Sequence, residues 1–395
     1  MKFETRRIVL PLACVQILVW ATSFYMFPAM LPTWEAGFGW SKTALSGAFT
    51  LAILITACGA PIAGKLIDRG SGRNVLVGGL SMVGFMLLLM SKVTELWQFY
   101  LLWAGLGIGM TGALYESCFA LVTRLQGKNA RSTITSITLI AGFAGALAFP
   151  GAHYLNHMLG WRTTVLVYAG IIFLVAIPLM YLVPKRKLDT KLKNNRASVT
   201  SSDYTPRQAL GSLVFWLVAI GFALIGLNHG MIITHMLPLL VERGIELAVA
   251  VLVAAMIGPM QVVGRLLMLA AQKHVSTSGI AAYSIVLMFF ASIALFNVLH
   301  WWQCVFVFAV LQGTGYGVTS ITRPVATAEF LGTAHFGTIS GFIAMPYMLM
   351  NAISPSVAAG LWSLGGYDLV IAGAAVSCIG AFTCLLLAAR GVNTS

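Results

Sequence analysis

Charge is what this sequence has least of: only 9% of its 395 residues are Asp, Glu, Lys or Arg, where soluble domains carry about 25%. Acids are the scarcer sign, 11 against 24 bases. So little charge cannot cover a water-exposed surface, and the composition reads as that of a chain built for lipid. Cysteine is sparse too. Cys14, Cys58, Cys118, Cys304, Cys378 and Cys384 stand singly in apolar segments without metal-ligand spacing, so they read as small buried hydrophobes. No nucleophile with its base and no metal cluster is legible, so neither an enzyme nor a bound cofactor or metal is expected. The first apolar run is too long for a cleavable leader and lacks a small-residue cleavage site, so it is expected to be a real helix.

What fills the chain is apolar: 59% of residues are hydrophobic and the mean hydropathy is +0.89. Runs of roughly 20 apolar residues, enough to cross about 30 Å of hydrocarbon as a helix, recur throughout. They fall at 8–31, 43–63, 75–91, 97–122, 132–152 and 163–183, then at 210–240, 247–271, 279–298, 302–326, 337–361 and 367–389. Between the sets lies a segment rich in Lys, Arg, Asn, Ser and Thr. It predicts a bundle at 1–183, a cytoplasmic linker at 184–207 and a second bundle at 208–395.

The net charge of +13 raises the question of nucleic acid, and its distribution answers it. With both termini cytoplasmic, only Lys42, Lys92, Arg162 and Arg243 of the flanking bases fall outside. Arg265 and Arg323 lie within spans, and the remaining bases, from Lys2 and Arg6 to Arg390, fall inside. That is the positive-inside asymmetry of a multi-pass inner-membrane protein, and anionic headgroups suffice as partners without nucleic acid.

An internal repeat follows. At one constant offset, Gly105, Gly107, Gly109 and Thr111 fall on Gly313, Gly315, Gly317 and Thr319. At a slightly shorter offset, Gly59, Gly127, Thr133, Pro150 and Gly160 fall on Gly264, Gly332, Thr338, Pro355 and Gly365. The expected fold is therefore an all-α membrane protein of twelve transmembrane helices in two parallel-repeat six-helix bundles, an arrangement typical of transporters. The Gly105–Gly107–Gly109 cluster lies inside an apolar span with no adjoining strand, so it reads as close helix packing and not as a phosphate loop.

The stretch Gly64 to Arg73, G-K-L-I-D-R-G-S-G-R, resembles the loop signature of the major facilitator superfamily. The Gly160-Trp161-Arg162 turn is similar to another of its features, and with the duplication the resemblance covers the chain. Gly70 and Ser71 separate Arg69 from Gly72, where the usual signature has one residue. The resemblance implies a cytoplasmic gate formed by Gly64, Asp68, Arg69 and Arg73. Asp68 is to pair either with Arg73 or with the positive N-terminus of a helix from the other half. It also implies that the first, fourth, seventh and tenth spans line the cavity.

Charges inside a bilayer cost at least about 2.5–3.5 kcal/mol, so each one asks for a use. Arg265 and Arg323 suit an anionic substrate, because guanidinium stays charged when desolvated and grips a carboxylate with two hydrogen bonds. The alternatives are a structural ion pair with Glu116 or snorkelling to the interface. Glu116 is the proton-coupling candidate, with the ion pair as its alternative. His229 reads either as a substrate or proton-handling group or as an interhelical hydrogen bonder. Tyr25, Tyr115 and Asn351 join the candidate substrate-binding residues, with Gln16, Trp20 and Tyr347 as weaker members.

The Gly264-Arg265 pair resembles the arginine position of the branch containing oxalate:formate antiporters and monocarboxylate transporters, although Leu269 and Lys273 replace that branch's following loop residues. The reading is an alternating-access secondary transporter of a small organic anion, coupled to protons and able to function as a monomer. An exporter of a drug, siderophore or arsenical is the alternative, suggested by the glycines and Pro150 of the fifth span. A non-transporting membrane sensor is the alternative of a different class.

Overall fold

The computed structural model describes residues 3–127, 130–184, 204–271, 275 and 277–393, with no strand among them. Nine continuous helical runs among these residues are long and apolar enough to cross a membrane. Three of them, of 49, 53 and 56 residues, would each exceed about 70 Å as straight helices, more than twice the hydrocarbon thickness. Each is broken at a glycine in the left-handed region: Gly70 (φ 104°), Gly160 (φ 75°) and Gly366 (φ 65°). Each long run is thus a pair of spans, which gives the twelve expected.

The spans are α1 (Arg7–Phe38), α2 (Lys42–Leu66), α3 (Gly72–Met90), α4 (Leu96–Gln126), α5 (130–159) and α6 (161–182), then α7 (Leu213–Glu242), α8 (Leu247–Ala271), α9 (Thr277–Asn297), α10 (Cys304–Leu331), α11 (336–364) and α12 (367–393). The chain forms two compact units, one of residues 1–203 with 333–342 and the other of 204–332 with 343–395. Residues 185–203 of the expected linker, and with them most of its bases, lie outside the described residues, as do Lys2, Lys128 and Lys273. The end of the expected linker is ordered. Thr205 and Gln208 form a reciprocal capping box on a short helix, Pro206–Gly211, that precedes α7.

The repeated glycines are where helices touch backbone to backbone. In the first unit, a Cβ on Gly107 would lie 2.6 Å from the Ala52 carbonyl oxygen, and one on Gly109 2.9 Å from the Val83 nitrogen. In the second, a Cβ on Gly264 would collide with the Thr314 carbonyl, and one on Gly317 with backbone atoms of Gln261. The crossing of α8 and α10 is therefore fixed by two reciprocal glycines one turn apart. Dispersion between close backbones is what associates helices in lipid, where burial of apolar surface drives nothing. One cysteine expectation is corrected: Cys14 and Cys58 are exposed, while Cys118 and Cys378 are buried.

Loop ends are tied by arginines. Arg162, directly after the Gly160 break, donates through Nη1 to the carbonyls of Ser91 (3.1 Å) and Val93 (2.9 Å) and lies over the Trp161 ring. Arg243, at the end of α7, donates to Leu295 O (3.0 Å) and pairs with Asp368.

A substitution pair on α8 tests the packing. Gly264→Ala should lower the thermal unfolding midpoint in detergent by several degrees, because overpacking costs about 1–3 kcal/mol. Gly258→Ala, on the same helix with nothing within 4 Å of the added atom, should leave the midpoint unchanged or raise it.

Candidate functional site

The candidate side chains fall into three groups, two in the first unit and one in the second. The first surrounds the Gly64–Arg73 stretch. The chain leaves α2 through a wide helical turn, Ile67–Ser71, in which Gly70 takes a conformation that a side chain would strain. That turn directs the Asp68 carboxylate at residues 337–338, which belong to the same unit. Oδ1 accepts from the Gly337 amide at 2.9 Å; Oδ2 accepts from the Thr338 amide and hydroxyl, each at 2.7 Å. These amides are orphan donors in the first turn of α11, so the carboxylate satisfies them and meets the positive end of the helix dipole. Of the two partners expected for Asp68, the contact is with the helix N-terminus. Arg73 lies instead with its guanidinium over the Tyr181 ring, 4.5 Å from its centroid.

Gly64 is what permits this contact, since any side chain there would meet the Gly337 carbonyl. Arg69 is exposed. Arg124, which sequence reasoning treated only as a topogenic charge, donates to the Asp68 backbone carbonyl and holds the turn.

The second group lies where α1 meets α4. Tyr25 N bonds back to Trp20 O at 2.9 Å, one residue longer than the α-helical step, and this bulge turns a row of rings to one side. Trp20 packs against Tyr115 at 4.9 Å and Tyr25 at 6.0 Å between centroids, and Tyr115 stacks on Phe119 at 4.9 Å and 13°. α4 itself is interrupted at Leu114, whose ψ of −172° is extended. The break is patched by side chains: buried Gln16 donates through Nε2 to Ala113 O at 2.9 Å, and Ser117 Oγ donates to Thr111 O at 2.7 Å. The helix restarts with half-buried Glu116 in its first turn, where the dipole favours a negative charge.

The third group joins α7, α10, α11 and α12. Arg323, 6% exposed, lies with its guanidinium 4.3 Å from the centroid of the Tyr347 ring. The Tyr347 hydroxyl shares a 2.6 Å hydrogen bond with the Tyr316 hydroxyl, and the Tyr316 ring stacks on His229 at 3.3 Å and 7°. Behind His229, Gln312 bridges to Asn228, which donates to the Ala374 carbonyl. Arg265, 8% exposed, donates through Nε to Gly317 O at 3.0 Å, a reach made possible by the close approach at Gly264.

Of the expected residues, His229 and Arg323 thus join one continuous network, with Tyr347 between. Asn351 stands one turn past Tyr347; its carbonyl, released by Pro355, accepts from Ser354 Oγ at 2.7 Å. His235 is set apart against the Pro355 carbonyl at 3.2 Å. Tyr316 and Gln312 escaped sequence reasoning. Their signal was present, since Gln312, Tyr316 and Arg323 recur at three-to-four-residue multiples on one stripe of α10.

Comparison with known proteins agrees with this architecture. The family profile described as Major Facilitator Superfamily matches residues 12–355. The 3-(3-hydroxy-phenyl)propionate transporter of Escherichia coli (strain K12) is 29% identical over 219 residues, 53% of this chain and 51% of that protein. Multidrug resistance protein MdtG of Rahnella sp. (strain Y9602) is 26% identical over 165 residues, 41% of this chain and 40% of that one. The match therefore spans about half of the first relative and less of the second. Among solved structures, the E. coli fucose:proton symporter FucP superposes with a TM-score of 0.73 at 16% identity, covering 97% of this chain and 99% of that one. FucP in its outward conformation gives 0.66 at 12% identity with the same coverage. At such identities the likeness is one of fold.

The Asp68 contact yields a local measurement. Asp68→Ala removes three charge-assisted bonds, each worth about 1.5–3 kcal/mol. Amide exchange at Gly337 and Thr338 should speed up by at least about tenfold, while exchange in α8 should stay unchanged.

Proposed function

The chain belongs to the major facilitator superfamily, and from that premise we propose that it is a proton-coupled secondary transporter of a small organic carboxylate, working by alternating access in the inner membrane with both termini cytoplasmic. The observation that carries the substrate class is the pair of arginines buried in spans of the second unit, Arg265 and Arg323, with Arg323 seated against the Tyr347 ring. A guanidinium stays charged when desolvated, and its planar fork matches the geometry of a carboxylate.

Within the first unit, the rings of Trp20, Tyr25, Tyr115 and Phe119 suit contact with an aryl or other flat apolar group. A carboxylate and a phenol ring are also the two groups of the compound for which the 3-(3-hydroxy-phenyl)propionate relative is named. The Gly264-Arg265 pair supports the same class through its likeness to the oxalate:formate and monocarboxylate branch. Asp68 and its helix-capping bonds serve as the cytoplasmic gate contact, with Gly64, Arg69 and Arg73 around it. A second reading, export of an amphipathic drug, is favoured by the same ring cluster and by the MdtG relative.

Two measurements decide between them. Proteoliposomes under an inward pH gradient should accumulate labelled 3-(3-hydroxyphenyl)propionate, and Arg323→Lys should cut the apparent affinity by about tenfold or more, since lysine lacks the planar fork. Extrusion of cationic dyes with no carboxylate flux would overturn the carboxylate reading in favour of export. For Glu116→Gln, exchange of internal for external substrate should survive while accumulation driven by the proton gradient is lost; equal loss of both would make Glu116 a structural residue.

A further inference from the structure

Resting on the transporter reading above, we propose that Gln312 and Asn228 lock His229 as the neutral imidazole with its hydrogen on Nε2, making it a fixed hydrogen-bond donor to an acceptor oxygen of the substrate and removing it from proton carriage.

The lock begins at a backbone carbonyl. Ala374 O can only accept, so the atom of the Asn228 amide 2.8 Å from it is the nitrogen, which also faces Cys378 Sγ at 3.3 Å. Asn228 Oδ1 therefore points toward α10, where it lies 3.1 Å from one terminal atom of Gln312. That atom must be a donor, hence Nε2. The same nitrogen lies 3.4 Å from His229 Nδ1. Its two hydrogens serve two acceptors, and Nδ1 must present its lone pair. A neutral imidazole with a bare Nδ1 carries its hydrogen on Nε2.

Reversing the Gln312 amide would set two oxygens against each other, and protonating Nδ1 would set two donors against each other. Asn228 and Gln312 are both fully buried, so no solvent relaxes either conflict. The network even leaves Gln312 Oε1 without a hydrogen-bond partner among the described residues, which places the amide's orientation under the control of its nitrogen.

The remaining surroundings divide. The Tyr316 face against His229 favours an imidazolium, while Arg323, reached through Tyr347, opposes one. The Cys378 thiol lies beyond Asn228, and His235 is occupied with the Pro355 carbonyl. The geometry at Nδ1 decides between these pulls because it excludes the proton at a specific atom. The Nε2 edge makes no hydrogen bond among the described residues, and His229 is only half-buried, so its donor is available to a carboxylate or phenol oxygen.

Nitrogen-15 NMR of histidine-labelled full-length protein, with His229→Gln to assign the signal, tests the lock without any ligand. His229 should show a bare Nδ1 and a protonated Nε2, unchanged from about pH 5 to 8. Gln312→Glu, which puts an acceptor where Nδ1 needs a donor, should move a proton onto Nδ1. A wild-type Nδ1–H or imidazolium in that range overturns the lock.

Titration calorimetry with 3-(3-hydroxyphenyl)propionate tests the donor. His229→Gln, which offers an N–H near the position of Nε2, should bind within about threefold of wild type, whereas His229→Asn should lose about tenfold, the loss of one hydrogen bond. Equal losses overturn the donor role. Wild-type protein with the stated tautomer but no carboxylate binding would leave the lock established and overturn the carboxylate reading instead.

Discussion

In hydrocarbon a backbone amide finds no water, so every peptide group must be satisfied by the protein itself. The rest of this structure depends on that constraint. It makes the spans among the described residues helical, and it means that each departure from helical geometry within them needs a polar side chain beside it. The interruption at Leu114 has Gln16 and Ser117, and the carbonyl released by Pro355 has Ser354. The bare amides at the start of α11 have the Asp68 carboxylate. The polar residues that a membrane span tolerates are thus largely the ones that repair its backbone, and the candidate site is built among these repairs.

This explains what was legible in the sequence. The twelve spans could be read because apolar length is a direct consequence of bilayer thickness, and the glycines of the repeat because only a missing side chain lets two backbones touch. The choice between Arg73 and a helix N-terminus as partner of Asp68 could not be read. It depends on a turn in which Gly70 takes a positive φ, and that extra residue is where the stretch departs from the usual signature. Tyr316 and Gln312 share a stripe of α10 with Arg323, but aromatic and amide residues in a span have many ordinary packing roles, and it is their distances to His229 and Asn228 that single them out.

The two units treat buried polarity differently. In the second, polar groups form an unbroken series from Arg323 through Tyr347, Tyr316, His229, Gln312 and Asn228 to a carbonyl of α12, so the orientation of each limits the next. In the first, the corresponding region of α1 and α4 is mainly rings, with Gln16 and Glu116 at its polar margin. Directional hydrogen bonds discriminate among oxygens and nitrogens, whereas ring faces accept many flat apolar groups. Directional polar groups and ring faces are therefore concentrated in different halves of the sequence.

Arg162 has a mechanical consequence. By holding the carbonyls of Ser91 and Val93 while anchored at the turn between α5 and α6, it pins two helical hairpins together at one end. Sliding one hairpin past the other would break these two bonds, whereas splaying about the joined loops would keep them. Such splaying is widest at the opposite ends of the helices, where Asp68 grips the start of α11.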